Sequence, residues 1–451
     1  MSEPRFSFSQ DHLRNLAADV LAHARSLGAT DAEIDVSEGY GLSVTARMGE
    51  VENIEHNRDK GISVSVYLGQ RKGYASSSDF SPAALRATAE AALNIARFTA
   101  ADDCAGLADP ALLAKAPADP ALLFNWNIDV PAAIELAQSV EAAAFAVSPM
   151  IRNSEGGSVS AQHSQFVYAN SRGFTGGYAS SRHYLSCSVI AAKSARAKNA
   201  MQRDDWYVSV RDVADFPAPG RIGEYAARRA LSRLGGRKLA TRQCPVLFEA
   251  PVAVGLTGAL VSAASGGSLY RKASFLVDTL GKKIFAPHIT ITEDPNVAKG
   301  FATGPFDDEG VTTRAREVVS KGVLQGYFLS SYSARKLGMK STGNAGGCHN
   351  MVLKPTVGDD FTGMLRRMGT GLLVTDLMGQ GVNYVTGDYS RGAAGYWVEN
   401  GEIAYPVEEI TIAGNMKDMF QGIVAAGSDA ITRGSMTSGS VLIDRMTVAG
   451  A

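Results

Sequence analysis

Seven histidines, His12, His23, His56, His163, His183, His288 and His349, are scattered over 451 residues. No two fall within a helical turn or two of each other, and no His-Glu-x-x-His occurs, so the clustered donors of a local zinc site are missing. The densest pair of soft ligands is Cys348-His349, which closes the loop Ser341-Thr342-Gly343-Asn344-Ala345-Gly346-Gly347. Adjacent side chains rarely aim at one ion, so a structural loop is the stronger reading there; a Cys348 nucleophile would need its base from a distant segment. Phe306-Asp307-Asp308-Glu309-Gly310 sets three carboxylates before a glycine. They could hold a hard cation or serve as acid and base. The plainer reading is an Asp/Gly turn whose carboxylates accept backbone N–H groups. The glycine loop at 343–347 lacks the Gly-Lys-Ser/Thr ending of a phosphate-binding loop, and no Gly-x-Ser-x-Gly marks a nucleophile elbow. The residues alone show no catalytic constellation.

Chemistry needs elements to hold it, and the most informative is the stretch 245–276. It is free of charge from Ala250 to Tyr270, with Glu249 before it and Arg271-Lys272 behind. That length approaches the ~20 apolar residues of a membrane span. Its glycines and serines (Gly255, Gly258, Ser262, Ser265, Gly266, Gly267, Ser268) dilute it too far, and a core helix of small residues packed closely against other backbone is predicted. Upstream, residues 10–27 carry Leu13, Leu16, Ala17, Val20, Leu21, Ala24 and Leu27 at helical spacing and stop at Gly28. Residues 62–68 alternate as a strand with one covered face, and a helix opens at Ser81-Pro82. After an Ala/Asp/Pro-rich connection over 100–126 the pattern starts again. A helix opens at Asp129 and Pro131, strands are predicted at 158–170, 183–191 and 206–212, and a helix at 221–234. Two local echoes support a duplication: Ser37-Glu38-Gly39 with Ser154-Glu155-Gly156, and Gly73-Tyr74-Ala75-Ser76-Ser77 with Gly177-Tyr178-Ala179-Ser180-Ser181.

Gly235-Gly236-Arg237-Lys238 reads as a domain boundary. Residues 1–236 are then an N-terminal helix-and-sheet region made of two helix–strands–helix units, about 1–98 and 127–236. Residues 237–451 are a β-rich, largely antiparallel domain, with strands expected at 283–292, 322–329, 371–375, 383–386, 394–398, 403–405 and 441–448. A short helix is expected around 415–426. Asn400-Gly401 between apolar runs is a hairpin signal, since both residues suit the positive φ of a type I′ turn. The class is α+β.

The chain is 45% hydrophobic and 20% charged with a formal net charge of -1, which fits large cores and gives no basic excess for nucleic acid or a membrane surface. Neither partner is expected. Cys104, Cys187, Cys244 and Cys348 lie far apart without a Cys-x-x-Cys pair, as do reduced thiols. The N-terminal MSEPRFSFSQDHL has no basic segment followed by an apolar one, so a cytoplasmic location is expected.

The C-terminal half resembles the PmbA/TldE branch of the TldD/PmbA family, once described as modulators of DNA gyrase. The matching residues are Pro305-Phe306-Asp307-Asp308-Glu309-Gly310, Gly326-Tyr327, Ser333-Ala334-Arg335-Lys336-Leu337-Gly338-Met339 and Ser341-Thr342-Gly343-Asn344. The Asn400-Gly401 hairpin and the closing Met446-Thr447-Val448-Ala449-Gly450 fit the same pattern, and the element order of the N-terminal half agrees. The resemblance implies a cytosolic TldD–TldE heterodimer that degrades or trims peptides, removing leaders from modified peptides and turning over antitoxins. TldD-type chains carry His-Glu-x-x-x-His on a helix and a cysteine near the C-terminus; TldE-type chains lack them. Laying that helix on this sequence from Pro245 puts the first His on Gly258, the Glu on Ala259 and the second His on Ala263. No cysteine follows Cys348. The resemblance thus implies a non-catalytic subunit without a cofactor of its own, zinc being expected in the TldD-type partner.

Ser341, Thr342, Gly343, Asn344, Gly346 and Gly347 are candidates for binding substrate or partner, because glycines there and at Gly379 and Gly381 would let backbone approach an extended peptide. Turn formation explains the same glycines equally well. Three alternatives stand beside the partner-subunit reading. The chain alone could form a homodimer. It could be a non-proteolytic regulatory binding protein of a toxin–antitoxin or gyrase-linked system. It could also be a self-sufficient hydrolase using Cys348, His349 or Asp307 and Asp308.

Overall fold

The computed structural model describes residues 5–194 and 201–450. The chain divides into two compact units, residues 1–232 with 304–313, and residues 233–303 with 314–451.

In the first unit the order is α1 (Gln10–Ser26), β1 (Asp31–Arg47), β2 (Glu50–Leu68), β3 (Arg71–Ser77), α2 (Pro82–Phe98), α3 (Val130–Val147), β4 (Ile151–Asn170), β5 (Thr175–Ala192), β6 (Met201–Val210) and α4 (Pro219–Ser232). A helix, three strands and a helix thus occur twice. The strands form one sheet in the order β3-β2-β1-β4-β5-β6, two meanders joined where β1 and β4 run antiparallel. Ser9, Ser81 and Asp129 start α1, α2 and α3 by accepting first-turn amides. Leu13 and Val20 of α1 and Leu85 and Leu93 of α2 pack on Ile34, Val36, Val64 and Val66 of the sheet. The helices sit close. A Cβ on Gly73 of β3 would run into the Ala92 carbonyl of α2, and one on Gly157 of β4 into the Ala137 carbonyl of α3. On the opposite face Tyr168 and Phe174 pack with Leu113, Phe306 and Val311. Of the two sequence echoes, Ser37-Glu38-Gly39 and Ser154-Glu155-Gly156 both lie in the first strand of their repeat. The other pairs β3 with β5, a third strand with a second, and does not join equivalent positions.

The second unit runs β7 (Arg242–Phe248), α5 (Ala250–Ala263), α6 (Gly266–Tyr270), β8 (Ile291–Asp294), β9 (Arg316–Ser320), β10 (Val323–Leu324), α7 (Ser331–Lys336), β11 (Asn350–Leu353), α8 (Phe361–Met368), β12 (Gly371–Met378), β13 (Asp388–Glu399), β14 (Glu402–Asn415), α9 (Met416–Gln421), β15 (Ile423–Ala426), β16 (Ile431–Arg433), β17 (Met436–Ser438) and β18 (Val441–Ala449). One sheet has the order β10-β9-β8-β11-β17-β16, the other β14-β13-β12-β7-β18-β15. A further β14–β18 pairing closes the second sheet on itself. Among the described strands, β7–β12 and β11–β17 pair in parallel. Asn400 (φ 54°) and Gly401 (φ 81°) turn the β13–β14 hairpin as expected of type I′.

Several expectations need correction. Residues 383–386 form a turn, in which the Asn383 side chain accepts the Val385 amide at 3.0 Å. Of 283–292 only the end belongs to β8, because Pro287 has no N–H for a ladder and Ile289 closes a turn onto Ala286. Of 322–329 only Val323–Leu324 is strand. The helix expected over 415–426 ends at Gln421 and gives way to β15. The stretch 245–276 is not one helix. It holds β7, then α5, then α6, and between the helices Phe328 takes over the backbone: its N–H bonds Ala264 O at 3.1 Å, and Gly266 N–H bonds Phe328 O at 2.8 Å.

Candidate functional site

α5 leaves β7 at Glu249, whose amide bonds Val374 O of β12 at 3.0 Å, and Pro251 occupies its first turn, where a missing N–H costs nothing. Its inner face, Ala253, Leu256, Leu260 and Ala263, joins Phe248, Val374 and Ile443 in the core. The three positions singled out in sequence lie in three environments. Gly258 faces open space: no atom stands within 4 Å of where its Cβ would be. Ala259 is 6% exposed and, with Gly255 and Leu256, lines a cleft of about 240 Å³ whose far wall includes Gly381, Tyr389 and Arg391. Ala263 is sealed in the core. None of the three side chains has a nitrogen, oxygen or sulfur to offer zinc, so these residues do not fit the metal. The C-terminal segment 433–440 forms the β16–β17 hairpin alongside α5, and Ser440 Oγ there bonds Asp429 Oδ2 at 2.6 Å.

The loop 341–349 is held by its own side chains. Asn344 Nδ2 donates to Glu293 Oε1 at 2.7 Å and to Gly347 O at 3.0 Å, while its Oδ1 accepts from Thr342 Oγ1 and Arg316 Nη2. Thr342 Oγ1 also accepts the Leu329 amide at 2.8 Å, and Ser341 Oγ donates to Leu329 O at 3.1 Å. Glu293 is 1% exposed and is charge-paired with Arg316 at 2.7 Å. Gly343, Gly346 and Gly347 all have positive φ, which the loop's path requires. His349 sets both ring nitrogens against carbonyl oxygens, Nδ1 to Ala302 O at 3.1 Å and Nε2 to Gly343 O at 2.9 Å. Burial, reinforced by the Glu293 charge, pushes the Cys348 thiol up to about 11, away from the thiolate a nucleophile needs. The ring and the thiol are consumed by structure.

Asp307 Oδ1 accepts the amides of Glu309 (3.0 Å) and Val311 (2.9 Å), an Asx turn in a buried loop, while Asp308 points to the surface. The fold does bring two histidines together that sequence spacing kept apart. His163 of β4 and His183 of β5 are buried with ring centroids 5.2 Å apart. His163 Nε2 accepts the Trp126 amide at 3.1 Å, and burial drives this imidazole down to about 4, so it stays neutral. Among the described residues no three His, Cys, Asp or Glu side chains gather as a metal would need.

Sequence reasoning missed Arg391. A signal was present: in β13 Arg391 falls in phase with buried Tyr389 and Ala393, not with exposed Asp388 and Ser390.

Three family models match the chain: PmbA/TldA metallopeptidase domain 1 over residues 32–96, the central domain over 125–234 and the C-terminal domain over 241–450. The metalloprotease PmbA of Escherichia coli O157:H7 is 50% identical over 430 residues, 95% of this chain and 94% of that protein. A crystal structure from Bacteroides thetaiotaomicron, described as a modulator of DNA gyrase, superposes with a TM-score of 0.91 at 26% identity, over 98% of this chain and 100% of that one. TldE from Thermococcus kodakarensis shares the fold at a TM-score of 0.84 and 19% identity, over 96% and 100% of the two chains. With a helix–sheet duplication, a closed β-rich second unit and family models matched from Ala32 to Gly450, the chain belongs to the PmbA/TldD metallopeptidase family.

Proposed function

We propose that this chain is the non-catalytic, TldE-type subunit of a cytosolic TldD–TldE metallopeptidase that degrades or trims unfolded peptides, including peptide leaders and antitoxins. The observation that carries the reading is α5, whose Gly258, Ala259 and Ala263 have no side-chain donor for zinc and no base for its water. The Cys348 thiol, raised to about 11, and the spent His349 ring speak against an independent nucleophile. The zinc and the hydrolytic step then belong to a TldD-type partner, and this chain completes the peptide-binding chamber. The purified chain should hold no stoichiometric zinc and cleave no peptide, and should support cleavage when mixed with a TldD-type subunit. One tightly bound zinc per isolated chain, or peptidase activity without the partner, would overturn this.

The likeness to a structure described as a modulator of DNA gyrase supports a second reading, a regulatory binding protein acting without proteolysis. Under it, the cellular effect of the chain survives removal of the partner's metal ligands; under the first it does not.

A further inference from the structure

The cleft against α5 is a built space with one charge. It holds about 240 Å³. Gly255 and Ala259 form one wall, and a Cβ on Gly255 would meet nothing within 4 Å, so this wall is bare for want of side chain. Opposite stand Tyr389 and Arg391 of β13 and the loop at Gly381. Arg391 is the sole ionisable cation among the described lining residues, and no carboxylate lines the cleft. Its guanidinium hydrogen-bonds the Tyr389 hydroxyl, while its Nε is shut off from solvent and has no acceptor among the described residues. With no carboxylate in the lining, the guanidinium has no charge partner across the cleft, and an anion entering it would supply one. Tyr389, 4% exposed and pushed up to about 12 by burial, stays a neutral hydroxyl that accepts from Arg391 and keeps its own proton to donate.

We infer that this cleft binds the carboxylate of a short peptide, with Arg391 as the anchor and the bare face of α5 receiving the adjoining residue. A guanidinium presents its N–H groups as a planar fork that matches a carboxylate two-to-two. One arginine suits a single negative charge better than the higher charge of phosphate. The volume lies below the ~300 Å³ at which pockets for drug-sized ligands begin, so it takes one end or one side chain of a peptide rather than a long segment. That the carboxylate comes from a peptide rests on the proposed place in a peptidase; the anion site does not. In that setting it would hold an acid-ended substrate or product fragment at the place in this fold that corresponds to the zinc helix of the sister subunit.

The test is calorimetric titration of the full-length chain, without partner, with three probes: acetyl-tetra-alanine as the free acid, the same peptide as its amide, and acetyl-Ala-Glu-Ala amide. The free acid should bind, with the amide at least about tenfold weaker, the usual scale for losing a charge-assisted bidentate pair. Equal binding of the glutamyl peptide assigns the site to acidic side chains as well as chain ends, which supports the site. Arg391→Gln should cost the same factor. Gly255→Leu, which fills the cleft, leaves Arg391 in place and favours helix, should abolish binding without lowering the melting temperature. Acid and amide binding alike, indifference to either substitution, or inorganic phosphate competing better than acetate would overturn the inference. A chain that binds the acid but never supports cleavage with a TldD-type subunit refutes the complex and leaves this site standing. Cleavage with no difference between acid and amide removes the site alone.

Discussion

Replacing Asp35 by Asn should stabilise the first unit at neutral pH and do nothing at pH 4. Asp35 lies in β1 opposite Tyr168 of β4 and Ser63 of β2, on the face away from α1 and α2. Its neighbour on that face, Glu33, has Lys72 at 2.9 Å and the Tyr168 hydroxyl at 3.0 Å, but Asp35 has no such partner among the described residues. Burial, with the Asp308 charge adding to it, raises its carboxyl from 3.8 to about 6. The folded state therefore holds a proton that the unfolded state has released between these values. Stability contributed by this residue falls as pH rises from about 4 to about 6 and stays low above that. At about 1.4 kcal/mol per pH unit the ceiling is about 3 kcal/mol, and because Asp35 keeps partial contact with solvent we expect about 2 kcal/mol for Asp35→Asn at pH 7.5. His163 works in the opposite direction. Held neutral down to about 4, it costs stability as pH falls below 6.5, but it is common to both proteins and cancels in the difference. Urea unfolding of both forms at pH 4, 5, 6 and 7.5 reads that difference directly. A gain that is the same at every pH, or no gain at pH 7.5, refutes the assignment of charge burial at Asp35.

Glu293→Gln should destabilise the second unit by about 3 kcal/mol in chemical unfolding, because it leaves Arg316 without its charge partner and loosens the Asn344 network; a loss under about 1 kcal/mol would show the pair to be dispensable. Cys348 and Cys187, raised to about 11 and about 12, should resist iodoacetamide at pH 8 in the folded chain, as read by mass spectrometry, and rapid labelling of Cys348 would reopen a nucleophilic role. Gly258→His should fold with unchanged or higher melting temperature, since it meets open space and gains helix propensity. Ala263→His should lower stability by about 2 kcal/mol or more, as it forces an imidazole into a sealed core; the opposite ranking would mean that α5 is turned differently.

Much of the fold was legible because local chemistry and burial agree. The stop of α1 was visible in Gly28 and the starts of α2 and α3 in Ser81-Pro82 and Asp129, and the duplication in the return of the same element order after residue 126. What sequence missed is what depends on partners far away in the chain. β1 runs for 17 residues, alternating buried Ala32, Ile34 and Val36 with Asp, Glu and Ser on a half-covered face. Its acidic positions disguise it until β2 and β4 are placed on either side. Residues 322–329 look like a strand by composition, yet past Leu324 the backbone of Phe328 is spent bridging α5 and α6. The Ser341–Gly347 segment could be read as a binding loop or a turn with equal right. Its tie to Glu293 and Arg316, some 30 to 50 residues away, is what makes it structural.

The helix α5 is packed unevenly along its length. At Ala263 the core has closed, and the side chain sits with Leu260, Phe275 and Leu276 in continuous packing. One turn earlier, at Gly255, Gly258 and Ala259, nothing has moved in. A cavity walled by apolar groups alone is a net cost that packing tends to remove, by roughly 24 cal/mol for each Å³. This one is lined by Arg391 and Tyr389, and a charged guanidinium would be worse served by a filled, dry interior. The open part of α5 is therefore better explained as space kept for a polar occupant than as an unfilled remnant. The closed part explains why that occupant need not be a metal.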